Sequence, residues 1–369
     1  MKYIVHIGPH GKGGMTSVIN NIFKSNLNNK YKLLMLITQY DHLNPIQTIK
    51  TYIKLKKLLA KKEVDLVHIH MASNGSYFRK VFFIKLCDKY NVPIIIHVHG
   101  AYFKEFYEKL NIRQKEKMKA NFRKCSAIIG LTRDWKDFLT NLIDAEEKVY
   151  IINNFVEIPT TFSEPNNETA NVSFLGRIGE RKGTFDFLNA IELLNKNTNI
   201  QFRVNIAGDG EIEKCKKYIK DKELYNVKYL GWINEEERNR LLQKTDILIL
   251  PSYYESFGMV LIEAMSYKIP VIGGNAGSIP NVITNNFDGL LVEPGNVTDI
   301  ANKLEYLLCN PKIRVKMGQN GYKSVCEKYS SKYFSQKLDE LYKKLIGVNK
   351  NEQWQKNKKN WFVCLPRFS

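Results

Sequence analysis

Cysteine is scarce in this chain of 369 residues: it has six, scattered along the sequence, and no two form a Cys-x-x-Cys pair. Disulfide-dependent secreted domains and zinc-binding domains carry denser and more regular cysteine patterns. The spacing therefore argues against a disulfide framework and a zinc site, and it favours a reducing compartment.

Long hydrophobic runs are also missing. No apolar run approaches the roughly 20 residues that a membrane-spanning helix needs. The N-terminal segment Met1–Gly8 is too short and too strand-like for a signal peptide. We therefore expect a soluble or peripheral protein, and the chain length favours two or three domains.

Acidic residues are few in the first part of the chain. Residues 1–152 hold 26 Lys and Arg against 12 Asp and Glu, a net charge of +14, and residues 343–369 add +6. The segment between them, 153–342, has a net charge of −1. Charge concentrated in this way indicates a polyanionic partner, either nucleic acid or an anionic membrane face.

Short apolar segments alternate with longer amphipathic ones, which predicts parallel sheets covered by helices on both faces. In the first half the predicted strands are Tyr3–Ile7, Lys32–Thr38, Val64–His70, Pro93–Gly100, Ser126–Leu131 and Lys148–Ile152. A stretch rich in Asn, Pro and Thr follows from Asn153, and the strand pattern restarts at Asn171. The sequence thus predicts two α/β domains joined by a linker.

The most informative segment is 248–265. Its apolar strand stops at Pro251, and a helical pattern begins near Gly258. Ligands bind beyond the carboxyl ends of such strands, and free N–H groups at a helix start bind anions. We expect an anion to bind the backbone amides of Phe257, Gly258 and Met259. Glu255 and Glu263 can border the same pocket, where sugar hydroxyls would be suitable partners for buried acids.

A second loop, Gly176–Gly183, joins a strand to a helix and carries Arg177 and Lys182. A diphosphate binds well to cations at a helix N-terminus. The Arg guanidinium can donate two parallel hydrogen bonds, and the Lys ammonium acts as a point charge. Both side chains are therefore suited to contact a diphosphate, and a solvated charged loop stays an alternative for them. We expect Arg181 to be solvated.

The glycine-rich loop after the first strand is a usual place for phosphate or sugar contacts, and Gly13 and Gly14 are its candidates. It is not a dinucleotide fingerprint, because Thr16 occupies the third glycine position, and it is not a Walker loop. A plain tight turn stays an alternative.

His99 ends the fourth predicted strand and is followed by a glycine. Its position and the following glycine favour a functional role, and we expect His97 to point to the opposite side. A histidine at a strand end is often a hydrogen-bonded structural residue, so that interpretation stays open.

Several of these segments resemble family 4 glycosyltransferases. Their Glu-x7-Glu signature is matched by Glu255, Ser256, Phe257, Gly258, Glu263, Ala264 and Met265. The Gly13-Gly14 loop, His99-Gly100 and the Arg177 to Lys182 loop are also similar to family motifs. Asn154-Phe155 departs mildly from the Asn-Gly that is common there. The resemblance extends to about residue 347.

The resemblance implies the GT-B fold: two Rossmann-like, doubly wound parallel-sheet domains that face a cleft, with a C-terminal helix crossing back to the first. The expected parts are an acceptor domain (1–155), a linker (156–170), a nucleotide-sugar domain (171–330), a crossover helix (331–347) and a basic aromatic tail (348–369).

The resemblance also implies residue roles in a retaining reaction. Glu255 approaches the donor sugar, His99 lies near that sugar, and Glu263 holds the nucleotide ribose. The expected catalytic residues are Glu255, His99, Arg177 and Lys182. The expected donor-binding residues are Gly13, Gly14, Arg177, Lys182, Phe257, Gly258, Met259 and Glu263. No Asp-x-Asp pair is present, so no metal is expected.

The implied donor is a nucleoside-diphosphate sugar, a UDP-sugar before others, and no cofactor stays bound. The implied acceptor is a lipid-linked glycan in capsule, exopolysaccharide or other bacterial envelope synthesis. Residues 102–125 interleave aromatic and basic side chains, which is typical of a helix in a membrane interface. We expect a cytoplasmic protein, peripheral on the inner face of the plasma membrane, with no nucleic-acid partner.

Three alternatives remain open. A sugar-nucleotide epimerase of the same fold would release free sugar without an acceptor. A nicotinamide dehydrogenase would need the glycine fingerprint that is missing. A nucleic-acid-binding protein without enzyme activity would use the basic half, and its binding would survive the loss of Glu255.

Overall fold

The computed structural model describes residues 1–11, 14–40, 45–100, 102–162 and 169–362, with side chains to residue 347. The chain divides into two compact units. Unit 1 is residues 1–153 together with the chain from residue 334, and unit 2 is residues 154–333. Each unit holds one six-stranded sheet, and the strands pair in parallel.

The sheet of unit 1 has the order β2-β1-β3-β4-β5-β6. Its strands are β1 Lys2–Pro9, β2 Tyr31–Gln39, β3 Leu66–Met71, β4 Ile94–Val98, β5 Ala127–Gly130 and β6 Val149–Ile151. Every residue of β3, β4 and β5 is buried, as expected for parallel strands that are covered on both faces. The helices between these strands are α1 Gly14–Lys24, α2 Leu27–Lys30, α3 Pro45–Ala60, α4 Gly75–Lys89, α5 Phe103–Glu108, α6 Ile112–Arg123 and α7 Arg133–Ile143.

The segment 102–125 differs from its prediction as one membrane-interface helix. It forms α5 and α6, because Asn111 caps α6: its side chain accepts the N–H of Gln114, and the Gln114 side chain accepts the N–H of Asn111. Three of its rings are buried in the core of unit 1: Phe103, Phe106 and Phe122. The prediction that the rings of this segment lie in a membrane interface is wrong for these three, since they pack inside the protein.

The sheet of unit 2 has the order β12-β11-β10-β7-β8-β9. Its strands are β7 Ala170–Leu175, β8 Phe202–Ala207, β9 Val227–Gly231, β10 Ile247–Leu250, β11 Val271–Gly274 and β12 Gly289–Val292. Its helices are α8 Thr184–Asn197, α9 Ile212–Asp221, α10 Glu235–Gln243, α11 Met259–Ser266, α12 Val297–Cys309 and α13 Pro311–Lys328.

The last helix, α14 Ser331–Phe362, is anchored in unit 1. Its Asp339 accepts hydrogen bonds from Lys30 at 2.7 Å and Tyr31 at 2.6 Å. Its Tyr342 hydroxyl lies 2.8 Å from Nδ1 of His68. The side chains of residues 348–369, the predicted basic aromatic tail, lie outside the described residues.

Glycines bring three loops of unit 2 together at the carboxyl ends of β7, β10 and β11. A Cβ at Gly183 would lie 2.3 Å from the Pro251 oxygen, and one at Gly277 would lie 2.5 Å from the Glu255 oxygen. Both glycines also have positive φ. Only glycine permits this close backbone approach, so these loops share one edge of the sheet. No helix in the described part of the chain is both long enough and apolar enough to cross a membrane.

Candidate active site

Lys182 and Glu255 form the centre of the site in unit 2. Lys182 ends the 3-10 turn after β7, and Glu255 lies in the loop after β10. The Lys182 ammonium donates to Oε1 of Glu255, and the same oxygen accepts from the Ser252 hydroxyl at 3.2 Å. The backbone oxygen of Glu255 accepts the N–H of Ser278 at 2.9 Å. The loops after three neighbouring strands therefore hold this carboxylate in place.

Burial governs the charge of Lys182. Only 15% of its side chain is exposed, and this burial lowers the pKa of the ammonium, while Glu255 acts in the opposite direction. A buried ammonium with one carboxylate partner gains from a further anion, because added negative charge stabilises its protonated form. The pair is therefore suited to receive an anionic ligand.

The N-terminus of α11 lies next to Glu255 in the chain. Gly258 caps it with φ of +83°, a conformation that side chains rarely adopt. Among the described residues, none accepts a hydrogen bond from the N–H groups of Gly258, Met259 and Val260. Free N–H groups at a helix start, together with the helix dipole, form an anion site.

Glu263 is paired with a residue that the sequence analysis did not identify. Its Oε1 lies 3.2 Å from Nη1 of Arg238, a residue of α10. Burial raises the pKa of Glu263, Arg238 lowers it, and Glu235 raises it. The Arg238 Nε is buried and has no partner in the described part of the chain. A ligand hydroxyl can donate to the carboxylate of such a pair without a clash of charges.

The two arginines of the Gly176–Gly183 loop behave differently from each other. Arg177 is exposed and makes no ion pair with a described residue. Arg181 was expected to be solvated, and this expectation is wrong. Its Nη1 donates to the Tyr254 oxygen at 2.9 Å and lies 3.8 Å from Oε1 of Glu255. The sequence feature that could have indicated this contact is that Arg181 directly precedes Lys182 in the chain.

The candidates Gly13, Gly14 and His99 belong to unit 1. Gly13 lies outside the described residues. Gly14 begins α1, is exposed, and has open space where a side chain would project. His99 is half-buried just after β4, and burial, with a further contribution from Lys80, lowers its pKa to about 3. We infer that His99 is a neutral donor or acceptor of hydrogen bonds at neutral pH.

His99 ends a chain of hydrogen bonds through the sheet. Its Nε2 lies 3.0 Å from Nδ1 of His70, and Nε2 of His70 lies 3.0 Å from Nδ1 of His6. Nε2 of His6 lies 3.3 Å from the hydroxyl of Tyr342. Each hydrogen bond in this series fixes the tautomer of the next histidine, and the last of them orients the ring of His99.

The expectation that His97 points away from His99 is wrong, since their ring centroids are 4.0 Å apart. Residues two apart on a strand share a face, so the alternation places them together. Neither ring nitrogen of His97 has a partner in the described part of the chain.

Five histidines form this buried cluster in unit 1. Two triads within it offer ring nitrogens within 4.8 Å of one another, a spacing that could hold a metal ion. They are His6, His68 and His70, and His70, His97 and His99. Hydrogen bonds already engage one or both ring nitrogens of His6, His68, His70 and His99, and we assign no metal to the cluster. The spacing of cysteine and histidine in the sequence did not predict this cluster, because its residues come from three different strands.

Two family models match the chain. The model described as Glycosyltransferase Family 4 matches residues 36–158, and the model described as Glycosyl transferases group 1 matches residues 160–324. The chain is a glycosyltransferase. The matched ranges include the Lys182–Glu255 pair, α11 and His99, whose roles stay predictions.

This glycosyltransferase has relatives of similar length. It is 27% identical over 359 residues to the uncharacterized 41.2 kDa protein in cps region of Klebsiella pneumoniae. The aligned region covers 90% of this chain and 95% of that protein. It is 26% identical over 345 residues to the UDP-Gal:alpha-D-GlcNAc-diphosphoundecaprenol alpha-1,3-galactosyltransferase of Escherichia coli, over 88% and 86% of the two chains.

Its fold is also that of solved glycosyltransferase structures. The Anabaena protein Alr3699/HepE, in complex with UDP and glucose, superposes with a TM-score of 0.75 at 16% identity. The match covers 92% of this chain and 99% of that one. The prediction of a GT-B fold built on two parallel sheets is confirmed.

Proposed function

We propose that this glycosyltransferase moves a sugar from a nucleoside-diphosphate sugar, a UDP-sugar before others, to a lipid-linked glycan acceptor, with retention of configuration. The pathway proposed is the synthesis of a bacterial surface polysaccharide, such as a capsule or exopolysaccharide. The observation that carries the proposal is the buried Lys182–Glu255 pair beside the free amides of α11.

Each group of this site suits one part of the donor. The diphosphate accepts hydrogen bonds from the amides of Phe257, Gly258 and Met259 and receives the charge of Lys182, with Arg177 able to swing in because it is exposed. Glu263, held by Arg238, accepts from the ribose hydroxyls. Glu255 accepts from a sugar hydroxyl. Stabilising the negative charge that grows on the leaving diphosphate is the main catalytic demand.

The reaction exchanges one bond of the sugar for another. The acceptor hydroxyl attacks the anomeric carbon on the face from which the diphosphate leaves. The bond between that carbon and the diphosphate oxygen breaks, and its electron pair stays on the diphosphate. The departing phosphate takes the proton of the acceptor hydroxyl. The two positive charges of Lys182 and Arg177 favour the leaving group throughout.

Relatives and charge support the choice of donor and acceptor. The printed name of the Escherichia coli relative gives a UDP-sugar donor and a diphosphoundecaprenol-linked acceptor, and the Anabaena structure holds UDP and glucose. The net charge of +14 on residues 1–152 suits an acceptor that lies at an anionic membrane face. We propose that the enzyme works at the inner face of the plasma membrane.

The test is turnover with purified full-length protein. We would screen nucleotide sugars for release of nucleoside diphosphate and identify lipid-linked products by mass spectrometry. Glu255→Gln should lower turnover about 100-fold or more, because a transition-state contact is lost. Its binding of UDP should not weaken, since the substitution removes a negative charge beside the phosphates. Glu213→Gln is the matched control, an exposed acid that pairs with Lys216.

Three outcomes would contradict parts of the proposal. Full turnover by a folded Glu255→Gln variant would remove Glu255 from the site. A product of inverted configuration would exclude retention. Free sugar released at the same rate with and without acceptor would favour the epimerase.

A further inference from the structure

An apolar stripe covers neighbouring helices of unit 1. On α3, Ile46, Ile49 and Ile53 are all exposed, at spacings of three and four residues that place them on one side of the helix. On α4, Phe78 and Phe82 are exposed four residues apart. Ile49 is 59% exposed and Phe82 60%. Contiguous exposure of large apolar side chains marks an interaction site.

A cavity of about 520 Å³ opens beside this stripe. Its apolar lining comes from both helices: Pro45, Ile49, Tyr52, Phe82 and Phe83. The Tyr52 and Phe83 rings lie 6.0 Å apart, so the helices meet there. The volume lies within the range of sites for small molecules, about 300–1,000 Å³.

Two polar side chains of α3 beside this cavity, Gln47 and Thr48, satisfy backbone carbonyls of β2. Strand β2 is the edge of its sheet, where backbone carbonyls often lack partners. The hydroxyl of Thr48 donates to the Thr38 oxygen at 2.9 Å, and the Gln47 amide donates to the Ile37 oxygen at 3.0 Å. With these carbonyls satisfied, the cavity is suited to hydrocarbon.

Arg79 lines the cavity, and among the described residues no carboxylate pairs with it. Arg79 donates to the side chain of Gln39, a neutral amide, and its Nε is buried with no partner in the described part of the chain. Residues 45–62 add six lysines and no acid. Among the described residues, no carboxylate pairs with Lys50, Lys54, Lys56 or Lys57. The cavity therefore combines an apolar lining with positive charge that lacks an anion.

We propose that this cavity binds the hydrocarbon chain of a polyprenyl phosphate, with its phosphate at Arg79 and the lysines of α3. The inference rests on the proposed function, because it places the lipid part of the acceptor. A nucleic acid would meet the lysines but leave the apolar stripe in water. A protein helix would cover the stripe but leave Arg79 without an anion. A phosphorylated lipid satisfies both.

The test compares two kinds of vesicle by flotation at fixed ionic strength. One contains phosphatidylcholine with undecaprenyl phosphate, and the other contains phosphatidylcholine with phosphatidylglycerol at matched negative charge. The wild-type chain should bind the first about tenfold more tightly or better. The double variant Ile49→Asp/Phe82→Asp should lose about tenfold or more of that binding, because two apolar contacts become charged. Arg79→Gln should lose the preference between the vesicles.

Ile112→Asp is the matched control. Ile112 is 81% exposed on α6 and does not line the cavity, so its variant should bind as the wild type does. All three substituted apolar residues are exposed, and thermal melting would confirm that the variants fold. Equal binding of both vesicles by the wild type, or wild-type binding by the double variant, would overturn the inference.

Release of nucleoside diphosphate separates this inference from the proposed function. If the wild type and the double variant both turn over the donor normally but bind lipid alike, only the lipid site is wrong. If the wild type turns over no donor, the proposed function fails as well.

Discussion

Glu263 and Arg238 show how the structure adds a partner to a predicted residue. Residue Glu263 was expected to hold a ribose, and the structure places Nη1 of Arg238 3.2 Å from its carboxylate. Burial raises the pKa of Glu263, Glu235 adds to this rise, and the Arg238 guanidinium opposes it. Arg238 therefore favours the ionised form of Glu263, which the proposed contact with the ribose hydroxyls requires.

Replacing this acid tests its role. Glu263→Gln should weaken the binding of UDP about tenfold to 100-fold, because hydrogen bonds to a charged group contribute about 1.5–3 kcal/mol. It should leave the binding of 2′,3′-dideoxy-UDP unchanged, since that analogue lacks the hydroxyls. Calorimetric titration measures both. Glu236→Gln, which breaks an exposed pair with Arg240, is the control. An equal loss for both nucleotides would contradict a ribose contact.

Sequence reasoning at the residue scale identified Lys182 and Glu255, which the structure joins, but it missed their surroundings. Lys182 and Glu255 are 73 positions apart, and family-like motifs predicted them separately. Arg238 belongs to no such motif. It lies in α10, a surface helix that also carries acidic residues, so its sequence neighbourhood is that of an ordinary surface residue. Its role depends on the packing of α10 beside α11, which pattern alone does not give.

Strands β3 and β4 place histidines at alternate positions, so that His68, His70, His97 and His99 share one side of the sheet. Burial lowers the pKa of each, and for His6 and His99 to about 3. The unfolded chain binds protons at these side chains near pH 6.5, while the folded chain does not. The unfolded state thus gains protons as the pH falls, and stability falls with it.

We therefore expect unit 1 to be sensitive to mild acid. Between pH 7.5 and 5.5, each histidine that stays neutral in the fold costs about 1.4 kcal/mol of unfolding free energy. His97→Leu should reduce the pH-dependent loss by that amount, because it removes one of these histidines. Among the described residues, none makes a hydrogen bond to His97 that would be lost. Urea unfolding at the two pH values measures it. A His97→Leu variant with the full wild-type loss would contradict this explanation.

The elements show where pattern reasoning succeeds and fails. The strands were predicted to within a few residues, because apolar runs bounded by polar residues are distinctive. The break between α5 and α6 was missed, since it depends on reciprocal bonds between Asn111 and Gln114. The rings of 102–125 were predicted to face lipid, and only tertiary packing shows that Phe103, Phe106 and Phe122 face the core.

At the scale of the molecule, the alternation of strands and helices was enough to predict two parallel sheets. The sequence did not predict the cavity beside α3, because it needs the distance between two helices. The basic charge and the predicted donor site belong to different parts of the chain: residues 1–152 carry +14, and 153–342 carry −1. We infer that unit 1 binds an anionic acceptor and that unit 2 binds the donor.

The central claim is that Lys182 and α11 bind the diphosphate of the donor, and calorimetric titration with UDP tests it most directly. Lys182→Met should weaken UDP binding about tenfold to 100-fold, because one charge-assisted contact is lost. Lys196→Met is the matched control, an exposed lysine of α8 that pairs with Glu192. It should bind UDP as the wild type does. Equal affinity for UDP in a folded Lys182→Met variant and the wild type would contradict the account.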